Sequence, residues 1–294
     1  MIAGACVVLC GACVSESQPA LGPEAVGVLR QGSTGGWLPA APIPEARARH
    51  TATLLPDGRV LVAGGCDRSD DPIASVYLYD PAAEAWTSAA PLPNGACFHA
   101  ATLLATGEVL VAGGIQQPSA TSTSRYDPAS DTWAPAAPLP EPRWSHCAAL
   151  LSSGAVLVVG GSTAAGDVAS ALLYYPVADE WSATGSLAAS SYWPACAVLH
   201  DGRVLVSGGM TGSDPQYEVV AGAELYDPAT GAWSPAAAPS VARTYHTLTT
   251  LPAGEVLAAA GIEIASDMWV SLASTCALSR SPVGGSCDGV QVVE

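Results

Sequence analysis

Lysine is missing from this chain: all ten basic residues are arginine, and charged side chains of any kind make up only 12% of the sequence. Against those ten stand 26 acidic residues, giving a net charge of -16. Nucleic-acid backbones and anionic bilayers are held by clustered positive charge that displaces counterions, so general affinity for either is excluded. No apolar run reaches the roughly 18 residues of a membrane-spanning helix, and no sustained 3.6-residue amphipathic pattern announces soluble helices. G-x-S-x-G is absent, which removes the strand-to-helix nucleophile turn. The Gly-Gly pairs are not followed by a helix pattern, so nothing cradles a phosphate. Beyond the N-terminal run, no C-x-x-C offers a thiolate zinc site.

What the chain has instead is 49% hydrophobic residues, 30 glycines and 24 prolines, the balance of turn-rich β-structure with a large core. It also repeats itself. Segments beginning at His50, His99, His146, Pro194 and His246 each run through two short β-prone stretches to a Gly-Gly or Ala-Gly pair, 49, 47, 48 and 52 residues apart. A period of about 50 residues marks stacked supersecondary units.

In the first copy, Thr51 to Leu55 and Arg59 to Ala63 flank Pro56-Asp57-Gly58, a tight-hairpin signal because Asp-Gly tolerates positive φ. Val60-Leu61-Val62-Ala63 is apolar at both alternating sets of positions, so that strand is covered on both faces. A variable loop follows Gly64-Gly65, then Ser75 to Tyr79, the turn Asp80-Pro81 and a strand opening with Trp86. Tyr-Asp-Pro recurs at 126–128 and 226–228, with Tyr175-Pro176 a degenerate copy, and Trp133, Trp181 and Trp233 follow in step. Each unit is four antiparallel strands that cannot bury two apolar faces alone but can do so between like neighbours, and radial stacking into a propeller meets that need.

The combination of R-x-x-H (Arg47/His50, Arg143/His146, Arg243/His246), double glycine, Tyr-Asp-Pro and a following Trp resembles the kelch repeat over roughly residues 24–261. Copy two has Ala96 for the Arg, copy four has Ser191 and Pro194 for Arg and His, and copy five has Ala260 for the first Gly. The resemblance implies an all-β, kelch-type β-propeller and, in that family, chiefly binding or scaffold roles with a minority of enzymes. Glu24 to Trp37 aligns without a gap on Ile73 to Trp86, so the chain enters at the last two strands of a blade. Five four-stranded blades are expected, the closing one shared by the N- and C-terminal segments. Six blades or a truncated ring is the alternative. The domain reading is a leader and linker over 1–22, a propeller over 23–275 and a tail over 276–294.

Residues 2–14 are small and apolar and are followed by polar residues, like the end of a secretory signal, and Gly11-Ala12-Cys13 resembles a lipidation site at Cys13. Export to the cell envelope or medium is expected, with membrane contact only through such an anchor. Six cysteines remain: Cys66, Cys97, Cys147, Cys196, Cys276 and Cys287. Six can pair in 15 ways. The preferred pair is Cys276–Cys287, with free buried thiols the other reading for the rest.

Strand direction puts the Asp-Gly hairpins and Tyr-Asp-Pro turns on one rim, and the loops after Gly-Gly with the interblade connections on the other. That second rim carries the variable loops, where binding groups gather on a rigid scaffold. Before the repeated His lie Arg47, Arg49, Phe98, Arg143, Trp144, Tyr192, Trp193, Arg243 and Tyr245, around one mouth of the central channel. Aromatics beside Arg suit stacking on a sugar or ring. Alternatively, these residues pack between blades and tie down the interblade turns. His50, His99, His146 and His246 share one position and are expected to hold local backbone rather than a metal. The acidic loop Asp67, Asp70, Asp71 lacks the spacing of an EF-hand calcium loop. The expectation is a monomeric recognition module for a protein or glycan, without cofactor and without catalytic residues. A galactose-oxidase-like or sugar-modifying kelch enzyme is the alternative.

Overall fold

A computed structural model describes residues 28–31, 37–115, 120–213, 216–265, 268–271, 275–278 and 286–288. Each repeat forms one four-stranded antiparallel sheet, and there are five such sheets among the described residues. Blade one comprises Thr51–Leu54, Val60–Ala63, Val76–Asp80 and Ala85–Ala89. Blade two comprises Ala100–Leu103, Val109–Ala112, Thr123–Asp127 and Thr132–Pro135. Blade three comprises Cys147–Leu150, Val156–Val159, Ala171–Tyr175 and Glu180–Thr184. Blade four comprises Ala195–Val198, Val204–Ser207, Ala223–Asp227 and Ala232–Pro235. Blade five comprises Thr247–Thr250, Val256–Ala259, Thr275–Leu278 and Ser286–Asp288. The innermost strands are spatial neighbours in chain order from blade one to blade five.

The second strand of each blade is the interior of the fold. In blades one to four all four of its residues are buried, because its two faces serve two interfaces. Leu61 and Ala63 of blade one meet Val109 and Val111 of blade two. Leu110 meets Val156 and Val158, Leu157 and Val159 meet Val204 and Val206, and Leu205 meets Val256. Full burial of each such side chain contributes about 1.5–3 kcal/mol, and the twofold coverage explains why these runs do not alternate.

The fourth-strand tryptophans stitch neighbouring blades. Trp133 lies 5.0 Å, centroid to centroid, from the fully buried Tyr126 of its own blade. Its indole N–H donates to the Ala90 carbonyl of blade one at 2.8 Å. Trp181 donates to Ala137 and Trp233 to Gly185 in the same way. The partner tyrosines are anchored too: Tyr126 donates to Asp131 and Tyr174 to Asp179, and each carboxylate also accepts a backbone N–H from the adjoining blade (Ala90 and Ala137) or the segment joining it.

The shared closing blade is not what forms. Blade five is completed from its own side, with Val256 opposite Leu278 and Cys276 opposite Cys287, so the stretch expected to be a separate tail supplies its outer strands. The N-terminal strands Val28–Gln31 and Trp37–Ala40 pair with each other as a two-stranded sheet. Trp86 of blade one donates to Ala41, as Trp133 does to Ala90, so this pair stands where the outer strands of a blade preceding blade one would be. The alignment of Glu24 to Trp37 on Ile73 to Trp86 predicts two paired strands here, and they pair with each other in a sheet of their own. It misassigned the blade, because a short local connection through Ile262–Ala265 and Met268–Ser271 lets the fifth copy find outer strands nearby.

Blade five consequently has one face less covered than its fellows. Its second strand alternates buried and half-buried, with Leu257 and Ala259 on the partly open side.

Candidate functional site

The interblade connection meets each new blade through a residue in the left-handed backbone region: Arg49 (φ 57), Phe98 (φ 60), Ser145 (φ 55), Trp193 (φ 53) and Tyr245 (φ 54). Non-glycine residues adopt that region at a cost, and only where surrounding structure enforces it. Enforcement comes from a hydrogen-bonded chain across blades. Phe98 N–H donates to the Arg49 carbonyl at 3.3 Å, Ser145 to Phe98 at 2.9 Å, and Trp193 to Ser145 at 2.8 Å. Blades one to four are linked in this way, and Tyr245 of blade five takes the same left-handed turn and stacks on Trp193.

Those side chains form a row. The Arg49 guanidinium lies 4.5 Å above the Phe98 ring and is ion-paired with Asp70 in the loop after Gly64-Gly65. Phe98 and Trp193 have centroids 5.7 Å apart, reaching over the small Ser145. Trp193 is 4.2 Å from Tyr245 and 4.7 Å from Tyr192. Tyr245 is 44% exposed and Phe98 and Trp193 are half-buried, so the row is a surface that solvent reaches. The Tyr192 hydroxyl is held well above its ordinary pKa, first by burial, then by Tyr217 and the Asp167 carboxylate, which sit on loops of the same rim.

The other arginines go elsewhere. Arg143 is fully buried and donates to the Gly160 and Ser170 carbonyls at 3.0 and 2.8 Å, to Ser170 Oγ at 2.6 Å and to Glu141 at 2.6 Å. Arg47 repeats the pattern on Gly64, Ser75 and Glu45, and the buried Arg243 donates to the Ala260 carbonyl. Burial pulls all three guanidinium pKa values down, and Glu45, Glu141 and Glu263 oppose the shift. These residues tie the turn to the end of the second strand and lie beneath the mouth, so the expectation that they face a ligand is corrected. In copy four Ser191 Oγ does part of the same work, donating to Gly208 O at 2.8 Å.

The histidines are packing pieces. A Cβ added at Gly113 would collide with the Arg143 carbonyl oxygen and the His146 ring. One at Gly208 would meet Arg243 and His246 in the same way. The imidazoles of His99, His146 and His246 thus each lie on the first glycine of the preceding blade. Desolvation holds His50, His99 and His246 down to about 4 and His146 to about 3. Among the described residues no three His, Cys, Asp or Glu side chains are grouped as metal ligands.

Two disulfides, Cys66–Cys97 and Cys147–Cys196, join blade one to blade two and blade three to blade four. The sequence reading gave these cysteines no partner. Its signal lay in position: Cys66 follows Gly-Gly and Cys97 precedes Phe98, and the mouth turn brings those two positions together. Cys276 and Cys287 are opposed in backbone register, but their side chains, like Cys13, lie outside the described residues. Trp144 belongs to the same rim through its backbone pairing with Ser162. The sequence reading also passed over Ser145, Asp167 and Tyr217 as members of the site.

Comparison with known proteins agrees with this architecture. Residues 47–93 and 194–240 match the sequence profile described as the Kelch motif. A solved structure titled "Structure of YjhT" superposes with a TM-score of 0.73 at 14% identity, covering 92% of this chain and 93% of that one. At that identity the likeness is one of fold. No curated protein matches the chain by sequence.

Proposed function

We propose, for a chain that carries kelch motifs at 47–93 and 194–240, a non-enzymatic recognition role in which a protein or glycan is bound at the mouth bearing Arg49, Phe98, Trp193 and Tyr245. The observation that carries this reading is the aromatic row itself: large planar side chains, partly open to solvent, mounted on turns whose backbone is fixed by cross-blade hydrogen bonds. Rigid aromatic anchors give contact area at little entropic cost, the economy seen in binding surfaces.

The galactose-oxidase-like alternative loses ground on one point. Cys196, the cysteine near Tyr192 available for a tyrosine crosslink, is bonded to Cys147. Two interblade disulfides suit an oxidising compartment, which supports export. The monomer and the lipid anchor at Cys13 belong to the same proposal.

The test is a screen of the full chain against arrayed glycans and envelope proteins, run beside Trp193→Ala and Trp144→Ala. A hit that weakens at least about tenfold in Trp193→Ala, with thermal melting unchanged, is expected for an aromatic anchor. Hits indifferent to both substitutions would remove the mouth from the function.

A further inference from the structure

Acidic side chains outnumber the basic ones left on the rim around the mouth. Three of the arginines around it, Arg47, Arg143 and Arg243, are withdrawn into the interior and hydrogen-bonded to backbone carbonyls there. Arg49 reaches the surface but is engaged with Asp70 and Phe98. The loops of the same rim carry Asp67, Asp70 and Asp71 around the single Arg68 in blade one, Asp167 in blade three and Glu218 in blade four. Resting on the recognition reading above, we propose that the mouth takes a cationic side chain, arginine above all, from a basic segment of a partner protein.

Four observations converge on this partner chemistry. Aromatic faces attract cations electrostatically, most strongly for Trp and Tyr and for guanidinium. Trp193 and Tyr245 are such faces, half-buried and 44% exposed respectively. Asp167 accepts the backbone N–H of Gly212 at 3.0 Å, two residues beyond Met210, whose backbone pairs with that of Tyr192, the neighbour of Trp193, so a carboxylate accompanies the aromatic group. Within the chain, Arg49 lying on Phe98 and paired to Asp70 shows the same geometry already filled: guanidinium on a ring, carboxylate at its edge. A net charge of -16 steers a basic partner towards the protein and repels an acidic one. A neutral glycan would stack on the same rings but would gain nothing from the carboxylates.

The experiment is fluorescence anisotropy of the full chain with a labelled Arg/Gly/Ser peptide, its Glu and Gln counterparts, and neutral oligosaccharides, at low and high salt. The Arg peptide is expected to bind at least about tenfold more tightly than the Gln peptide and to weaken with salt. Trp193→Ala should lower its affinity about tenfold and Asp167→Asn about threefold, with a cooperative melting transition retained in both. Tyr245→Ala serves if Trp193→Ala does not fold. Equal binding of the Gln peptide, or Trp193-dependent binding of a neutral oligosaccharide or the Glu peptide alone, overturns the cation inference while leaving the recognition reading in place. Arg-peptide binding indifferent to Trp193 and Tyr245 is general attraction to an acidic surface and overturns it too. Silence from every probe overturns it as well, and the recognition reading then stands or falls on the wider screen.

Discussion

Trp193 of blade four stacks on Tyr245 of blade five with ring centroids 4.2 Å apart and planes inclined by 34°. The contact joins two turns but closes no core, since Tyr245 is 44% exposed. Tyr245→Ala should therefore cost about 1 kcal/mol or less of stability, the scale of one aromatic pair, while changing the fluorescence of Trp193. Trp133→Ala should cost about 3 kcal/mol, because that ring packs on Tyr126 of its own blade and gives up its bond to Ala90 beside blade one. Urea unfolding of the two variants measures the difference, and equal losses would mean that the mouth row is structural.

Arg143 and Arg49 occupy the same connecting turn in different copies yet should respond oppositely. Arg143→Met leaves the Gly160 and Ser170 carbonyls without their buried donor, so a loss of about 3 kcal/mol is expected. Arg143→Lys should not restore it, because a single ammonium cannot reproduce the forked contacts. Arg49→Met removes a half-exposed ion pair and should cost under about 1 kcal/mol. Parallel urea titrations of the three variants would expose any reversal of this order.

The fold was legible because repetition amplifies weak signals. A single Val60-Leu61-Val62-Ala63 reads equally as a buried strand or a helix fragment, whereas five copies, four of them ahead of a glycine pair and one ahead of Ala260-Gly261, leave the propeller as the solution. The mouth was half legible. The position before each His identified Arg49, Phe98, Trp193 and Tyr245, since register alone sets their level. Register does not say whether a long side chain points out or folds back, and Arg143 folds back because the carbonyls of Gly160 and Ser170 need a donor there. Closure was misread at blade five, where the outer strands carry neither Tyr-Asp-Pro nor the following Trp and so gave no repeat signal.

The two disulfides should matter to cohesion between blades. Each closes a loop in the unfolded chain, of 49 residues for Cys147–Cys196 and 31 for Cys66–Cys97. Chain-entropy reasoning assigns roughly 3–4 kcal/mol to a bridge of this span. Cys147→Ser with Cys196→Ser is expected to lower the urea midpoint accordingly. Cys66→Ser with Cys97→Ser should also loosen the mouth beside Phe98. Mass spectrometry of the non-reduced protein checks both pairings directly, and free thiols at these four positions would discard them.

Acid should weaken the fold before its carboxylates are protonated. Unfolded imidazoles take up protons near pH 6.5, whereas burial holds His99 and His246 near 4 and His146 near 3. Between those limits the unfolded state binds more protons, so stability is fully present above about pH 6.5 and falls as pH drops towards 4. One such group contributes up to about 3 kcal/mol across that window. Asp57, Asp127 and Asp179, whose pKa values are lowered, add their losses only below the usual carboxylate range. Urea midpoints at pH 7 and pH 5 should differ in the parent protein and differ less in His146→Gln. An unchanged difference would mean the buried imidazoles titrate normally.

Leu157 and Leu257 hold the same position in the second strands of blades three and five, but only one has a complete neighbour. Leu157 is buried against Val204 and Val206 of blade four, while Leu257 is half-buried on the partly open face of blade five. A carboxylate at the first site is trapped without a partner in an apolar interface, so Leu157→Asp should cost more than about 4 kcal/mol or prevent folding. At the second site the charge can reach water, so Leu257→Asp should cost about 1–2 kcal/mol. The fifth copy's own departure fits the same asymmetry. Ala260 stands where other blades keep a glycine clear of the next blade's carbonyl, and its Cβ is tolerated at φ 57. Equal losses from the two Asp substitutions would mean that the Leu257 face is covered as fully as the others, and Ala260→Gly would then be expected to stabilise the protein.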